Sequence, residues 1–441
     1  MIKLIAICLV LCTVSAQIPT KVSEINIKDP GFTSLASNFY KNQKRNAVLL
    51  TTFGVTGLDS IYQISFQNED LSKPQATAFD TKSIWPNQAD YYEQYQLIVE
   101  AGGFFPNPSK ATGDINIYQV NDDGQITNKI KVSKDKKNFF YHKAMLVDLN
   151  GDGLPDILAA RAQKSVFSSS GELIWLENKG NFQFEEHLLT SGPDVFFIFV
   201  DLDNDGKQEV VAAQYFSKEL AIYTCQQSNW SLCNSSNIQK TLIDNTIGSL
   251  FNLELTDLNG DGKKELLVTN NSASGNGQVF IYEIPENYQT GKFIKHPLGS
   301  TYKPSLALLP GRGAPGTASS FTLEGSKQKY IIVSGDDAGV VRLLIPQGGS
   351  FNYKEVVLCE SKNNNTIGEV AHGDFNKDGF IDLVIPFYAE GKVEIWSFKN
   401  QQQEVTQQNQ DQESILSYFD YLESSLIRFI KELIKKLTNQ I

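Results

Sequence analysis

The chain has 441 residues, 41% hydrophobic and 20% charged, with a formal net charge of −11. That balance excludes a disordered chain, a collagen-like fibre and a polytopic membrane protein. Plentiful Gly, Tyr, Phe and Asn beside 2 Met and 4 His favour many strands and turns over helices.

At the N-terminus, Lys3, the apolar run Leu4 to Cys12 and the small residues Val14-Ser15-Ala16 predict a secretory signal peptide over residues 1–16, cleaved near Ala16–Gln17. The apolar run is too short to span a bilayer. Secretion, or residence in a secretory lumen, is the expected location. Val22 to Gly31 then reads as a strand with no unit of its own before it. The segments KRNAVLLTTF from Lys44 and QYQLIVEAGG from Gln94 each begin a strand-rich stretch, followed by SIYQISF and DINIYQV.

Four better-marked segments come next. AMLVDLNGDGLPDILAAR, FIFVDLDNDGKQEVVAAQ, LELTDLNGDGKKELLVTN and VAHGDFNKDGFIDLVIPF each place D-x-[DN]-x-D-G-x-x-[DE] between two apolar runs. The first three copies are nearly evenly spaced, and the last interval is about twice as long. A degenerate copy therefore belongs in the gap, and TLEGSKQKYIIVSG from Thr322 fits without the acids. Seven units follow, beginning near residues 37, 88, 148, 201, 257, 322 and 374. Repeats of roughly 50–65 residues with several short strands predict an all-β, seven-bladed β-propeller over residues 17–400. In the third unit the expected strands are Lys143 to Asp148, Asp156 to Ala162, Glu172 to Glu177 and Phe184 to Leu189. The seventh unit runs out after its third strand, VEIWSF, so the spare N-terminal strand is expected to complete that blade and close the ring.

Beyond the propeller, residues 401–413 read as a Gln-rich linker. Ile415, Phe419, Leu422, Leu426, Phe429, Leu433 and Leu437 recur at helical spacing, predicting an amphipathic helix over 414–441. Such a helix would dock on the propeller, on a partner or on a membrane surface.

The acidic loops gather hard oxygen ligands at alternate positions. The first offers Asp148, Asn150, Asp152 and Asp156; the second Asp201, Asp203, Asp205 and Glu209. The third offers Asp257, Asn259, Asp261 and Glu265, and the fourth Asp374, Asn376, Asp378 and Asp382. At the seventh position Leu154, Lys207, Lys263 and Phe380 would lend a backbone carbonyl. Gly153, Gly206, Gly262 and Gly379 permit the positive φ that wraps such a loop around an ion. Carboxylates plus carbonyls in a flexible loop suit Ca²⁺ better than Mg²⁺, and about four ions are expected. An EF-hand is excluded, because its twelfth-position Glu is replaced by Ala159, Ala212, Val268 and Ile385. Without the loop carboxylates the chain has nearly as many acids as bases, so the net charge is largely theirs. No basic stripe points to nucleic acid.

At these loops the sequence resembles the FG-GAP/VCBS repeat family, whose seven-bladed members include integrin α-chain N-terminal domains. The resemblance implies calcium in the loops joining first and second strands, and a binding or adhesion role toward a protein or glycan ligand on a propeller face. FG and GAP elements survive only as Phe53-Gly54 and Gly313-Ala314-Pro315, and three units lack the acids. The alternative is a carbohydrate-active propeller, a lectin or polysaccharide lyase. No catalytic motif is found: His142, His187, His296 and His372 fall in no metal-binding or nucleophile pattern, and the first and last read as incidental to first strands.

Cys225 and Cys233 flank a short polar segment that could close as a disulfide across a loop, which would leave Cys359 unpaired as a buried apolar residue, although the sequence alone does not fix the pairing of the three. Sequons at Asn229, Asn234, Asn270 and Asn364 each lie in stretches that read as loop, making N-glycosylation plausible.

Overall fold

The middle strand runs explain the architecture. Leu97–Gly102, Glu209–Ala213, Glu265–Asn270, Tyr330–Ser334 and Asp382–Phe387 are buried along their whole length. A strand covered on both faces needs a sheet on either side of it. The computed structural model, which describes residues 18–399 except 105, 106, 108, 165–167, 306–310, 363 and 364, supplies this with seven four-stranded antiparallel sheets.

Blade 1 comprises Pro30–Tyr40, Arg45–Thr52, Asp59–Phe66 and Pro74–Ser83; blade 2 comprises Pro86–Tyr92, Leu97–Gly102, Ile115–Val120 and Ile126–Lys131. Blade 3 is built from Phe139–Val147, Asp156–Lys164, Ser169–Asn178 and Phe184–Ser191, close to the expected boundaries. Blade 4 contains Phe196–Val200, Glu209–Ala213, Leu220–Cys225 and Ile238–Asp244; blade 5 contains Leu250–Thr256, Glu265–Asn270, Gly277–Glu283 and Ile294–Tyr302. Blade 6, the degenerate unit, still forms Ala318–Phe321, Tyr330–Ser334, Val340–Pro346 and Tyr353–Glu360. In blade 7, Ala371–Gly373, Asp382–Phe387 and Lys392–Ser397 are completed on the outside by the N-terminal strand Thr20–Asn26.

Fourth strands are mostly exposed or half-buried, as in Ile238–Asp244 and Tyr353–Glu360, because their outer edge meets water. In blades 1 to 6 the pairing of third with fourth strand carries a register shift, for example between Leu173 and Ile174. Such shifts increase local twist and turn the outer strand away from its neighbour. The apolar cores lie between blades. Leu158, Trp175, Phe197 and Val210 belong to the core between blades 3 and 4, and Ile27, Val48, Phe66, Phe375, Val384 and Ile395 to that between blades 7 and 1.

Among the described residues, regular structure other than strand consists of short 3-10 turns, as at Lys41–Gln43 and Trp230–Leu232. The expected C-terminal helix, the linker and the signal peptide lie outside the described residues. No described helix is long and apolar enough to cross a membrane. The disulfide Cys225–Cys233 is present, with 6.0 Å between its Cα atoms. Cys359 is free, but it is half-buried on the outer strand of blade 6 rather than enclosed in a core. One sequon departs from its expected setting. Asn270 is the last residue of a second strand and only 3% exposed, because the apolar run before it carries the strand into the first of the two asparagines.

Glu100 is a buried acid in the second strand of blade 2, held by Asn116. Burial, reinforced by Asp114, pushes its carboxyl up to about 8. A folded value above the unfolded one means stability fully present below about pH 4.5 and lost as pH rises through about 8. E100Q should therefore melt with the parent at pH 5 and at least about 1–2 °C above it at pH 9. Equal melting temperatures at pH 9 would contradict the assignment.

Candidate metal centre

Four loops between first and second strands share one hydrogen-bond framework. In blade 3, Asp148 Oδ1 accepts from the backbone N–H of Gly151 at 2.8 Å and of Asp152 at 3.2 Å, and its Oδ2 from Gly153 at 2.9 Å. Asp152 Oδ1 accepts from Leu154 N–H at 2.8 Å. The pattern recurs where Asp201 takes Asp205 and Gly206, where Asp257 takes Asp261 and Gly262, and where Asp374 takes Asp378 and Gly379. The acid ending each loop opens the second strand and is buried. Asp156, Glu209, Glu265 and Asp382 each accept the N–H of the loop's second residue, Leu149, Leu202, Leu258 or Phe375, at 2.9–3.1 Å.

Backbone conformation follows the sequence reading at Gly153, Gly206, Gly262 and Gly379, whose φ lies between +86° and +90°. A second left-handed residue went unforeseen. Position four is Gly151, Asn204, Gly260 and Lys377, all at positive φ. Two such residues tighten the loop, and Gly or Asn at three of the four positions was the available signal.

These residues fit a hard cation. Asp201, Asp203 and Glu209 bring carboxylate oxygens within 4.8 Å of one another. Where position three is Asn, its Nδ2 donates to the fifth-position aspartate, 3.0 Å from Asn150 to Asp152 and from Asn376 to Asp378, and 3.1 Å from Asn259 to Asp261. Oδ1 of Asn376 is buried without a hydrogen-bond partner. Burial, then the neighbouring aspartates, pushes Glu209 and Glu265 up to about 7, and burial also raises Asp156. Buried acids beside further acids are the environment that a bound cation relieves.

The disulfide loop braces one of these sites. Trp230 Nε1 donates to the carbonyl of Gln208 at 2.6 Å, and its indole packs edge-on against Phe199. A separate group on the outer strands of blade 3, Glu177, Glu185 and His187, also lies within 4.8 Å. Lys179 already pairs with both glutamates, at 2.6 and 3.5 Å.

The histidines fall into two settings. His187 and His296 sit at the rim against Glu177 and Glu283, at 2.9 and 2.5 Å. His142 and His372, which read as incidental in the sequence, line a central cavity of about 290 Å³ walled by the inner strands of all seven blades, together with Phe32, Asp90, Lys143 and Glu369. Burial lowers the imidazoles to about 3 and 4 and raises Glu369 to about 7. No sequence spacing brings these residues together; only ring closure does.

The opposite mouth of the ring, formed by loops joining second to third strands and successive blades, holds different chemistry. Phe53, Trp85 and Phe104 stack in series with centroids 5.0 and 4.2 Å apart, and Val55 and Leu58 beside them are exposed. Beneath, Lys110 and Asp59 form a buried ion pair at 2.5 Å.

A family model for the FG-GAP-like repeat matches residues 148–212, which span the first two acidic loops. The chain is a seven-bladed β-propeller that carries an FG-GAP-like repeat in blades 3 and 4. Integrin alpha-PS3 of Drosophila melanogaster is 25% identical over 175 residues, covering 34% of this chain and 15% of that protein. The chain thus spans a small part of that relative's length. Among solved structures, the Dos1 propeller aligns with a TM-score of 0.46 and 11% identity over 86% of this chain and 96% of that one. The periplasmic gluconolactonase PpgL of Pseudomonas aeruginosa aligns with a TM-score of 0.45 and 11% identity over 74% and 84%.

Proposed function

We propose that this FG-GAP propeller is a secreted, calcium-stabilised binding module that presents a protein ligand site on the face opposite its ion loops. The observation that carries the reading is the framework repeated in four loops, with first-position carboxylates tied to backbone N–H groups and an acid buried at the ninth position. The residues that would hold Ca²⁺ are Asp148, Asn150, Asp152, Asp156 and their counterparts in blades 4, 5 and 7, with the carbonyls of Leu154, Lys207, Lys263 and Phe380. A bound ion would neutralise the clustered acids and fix the turn; the chain's own part is to hold the oxygens in place before the ion arrives. The disulfide supports a lumenal or extracellular location. The partly exposed Phe53–Trp85–Phe104 stack, with Val55 and Leu58, supports protein docking on the opposite face, since aromatic residues beside exposed apolar ones are typical interface anchors.

Metal analysis on the purified protein should give about four calcium ions. Replacing Asp201 and Asp205 together by Ala should remove one and leave the others, because each loop is local to its blade. Loss of every ion at once would refute independent sites, and zero ions in the parent would refute the calcium reading. Capture of a protein ligand with and without calcium, using the parent and W85A, tests the docking face. Unchanged capture by W85A would move the site elsewhere.

A further inference from the structure

The three described sequons occupy different environments, and only one has the form of an acceptor for an oligosaccharide. Asn270 is committed to the fold. Its Nδ2 donates to the carbonyl of Ile247 at 2.5 Å and its Oδ1 accepts from Gln278 N–H at 2.6 Å, inside a side chain 3% exposed. A glycan there would displace both bonds and force sugar between blades. Asn229 lies within the disulfide loop and is half-buried, lining a groove with Asp148, Phe199 and Lys207. Its Oδ1 accepts only the N–H of Ser231, at 2.9 Å, and the intervening Trp230 is fixed against Gln208.

Asn234 shares the backbone bond to its sequon serine with Asn229 but differs in exposure and in a second bond from the serine hydroxyl. It is exposed and lies past the second cysteine, in the turn leading to the fourth strand of blade 4. Its Oδ1 accepts two bonds from the third residue of its own sequon, the N–H of Ser236 at 2.9 Å and the hydroxyl of Ser236 at 2.6 Å. No hydrogen bond engages its Nδ2. The carboxamide oxygen is thus polarised by two donors while the nitrogen is left to react.

We propose that Asn234 is an N-glycosylation site of this protein, and that Asn229 and Asn270 are not. In the transfer, a bond forms between Asn234 Nδ2 and C1 of an oligosaccharide carried on a lipid diphosphate. The bond from C1 to the diphosphate oxygen breaks, and the lipid diphosphate leaves, its oxygen or solvent taking the one proton that the amide loses; nothing is oxidised or reduced. The proposal rests on the lumenal location argued above. It also bears on where partners bind. Loops joining third to fourth strands share a face with the ion loops, so a glycan at Asn234 shields that face beside blade 4 and leaves the aromatic stack open.

The full chain should be expressed in a human cell line in two forms, one with its own N-terminus and one behind a foreign secretory leader. Protein from the medium is treated with peptide-N-glycosidase in heavy-oxygen water and mapped by mass spectrometry. The expected result is conversion of Asn234 to labelled Asp, with Asn229 and Asn270 unlabelled, and loss of the Asn234 glycan in N234Q. Unlabelled Asn234 in leader-driven protein whose Cys225–Cys233 disulfide is intact overturns the proposal, as does labelled Asn270, or label at Asn229 in place of Asn234. If only the foreign leader yields secreted protein and that protein is labelled at Asn234, the lumenal location fails while the site assignment stands.

Discussion

Deletion of residues 18–28 is expected to leave no stable monomeric propeller. The strand Thr20–Asn26 is the outer member of blade 7, and without it Lys392–Ser397 becomes an open edge. Ile27, 4% exposed, would leave the core that joins blades 7 and 1, and the ion pair between Lys21 and Glu394 at 2.8 Å would be lost. Seven residues of ladder contribute about 1 kcal/mol per hydrogen bond, and burial of an isoleucine about 1.5–3 kcal/mol. Together these approach the 5–15 kcal/mol that stabilises a typical domain. Size-exclusion chromatography should show aggregates or an expanded species, and thermal scans no cooperative transition. A truncated protein that elutes and melts like the parent would show that the ring does not depend on this strand.

Chelation should have the second largest effect. Each site that binds calcium only in the fold stabilises by about 2.7 kcal/mol when the ion is present at about a hundred times its dissociation constant. Four sites therefore reach on the order of 10 kcal/mol. In EGTA the melting temperature should fall by at least roughly 10 °C, and excess calcium should restore it. The burial of Asp156, Glu209, Glu265 and Asp382 sharpens the expectation, since these acids lie at the roots of second strands rather than on free loops. Removing the ions loads the strand starts with uncompensated charge. A melting temperature that ignores EGTA would sink the calcium reading.

The repeat was legible because each acidic loop sits at a fixed distance from two apolar runs, and every feature of that pattern is local. The closing strand was legible by counting, since blade 7 lacked one strand and the N-terminus offered one. Blade 6 kept its geometry after losing its acids because Tyr330–Ser334 still needs cover on both faces. What stayed hidden was non-local. Lys110 and Asp59 meet across blades 1 and 2, and His142, Glu369 and His372 meet only in the centre of the ring. Asn270 was misread for a local reason: two asparagines followed by Ser and Gly look like a turn, yet the first of them finishes the strand.

Ring closure also dictates an order of events during synthesis. Blades 1 to 6 each take four consecutive strands, so each can assemble from chain that has just emerged. Blade 7 cannot. Its outer strand precedes the other six blades in the chain and its partner Lys392–Ser397 follows them, so that pairing has the longest sequence separation among the described strand pairs. Contacts of this kind form late, after the loop-closure entropy has been met by everything between. Until Lys392–Ser397 is made, the strand Thr20–Asn26 therefore stays unpaired, a ready template for association with another nascent copy. Lys21 and Glu24 place charge within that strand and Lys28 just beyond it, interrupting the apolar Val22, Ile25 and Ile27 that the unpaired segment would uncover. Those charges guard the edge during the interval before its partner exists.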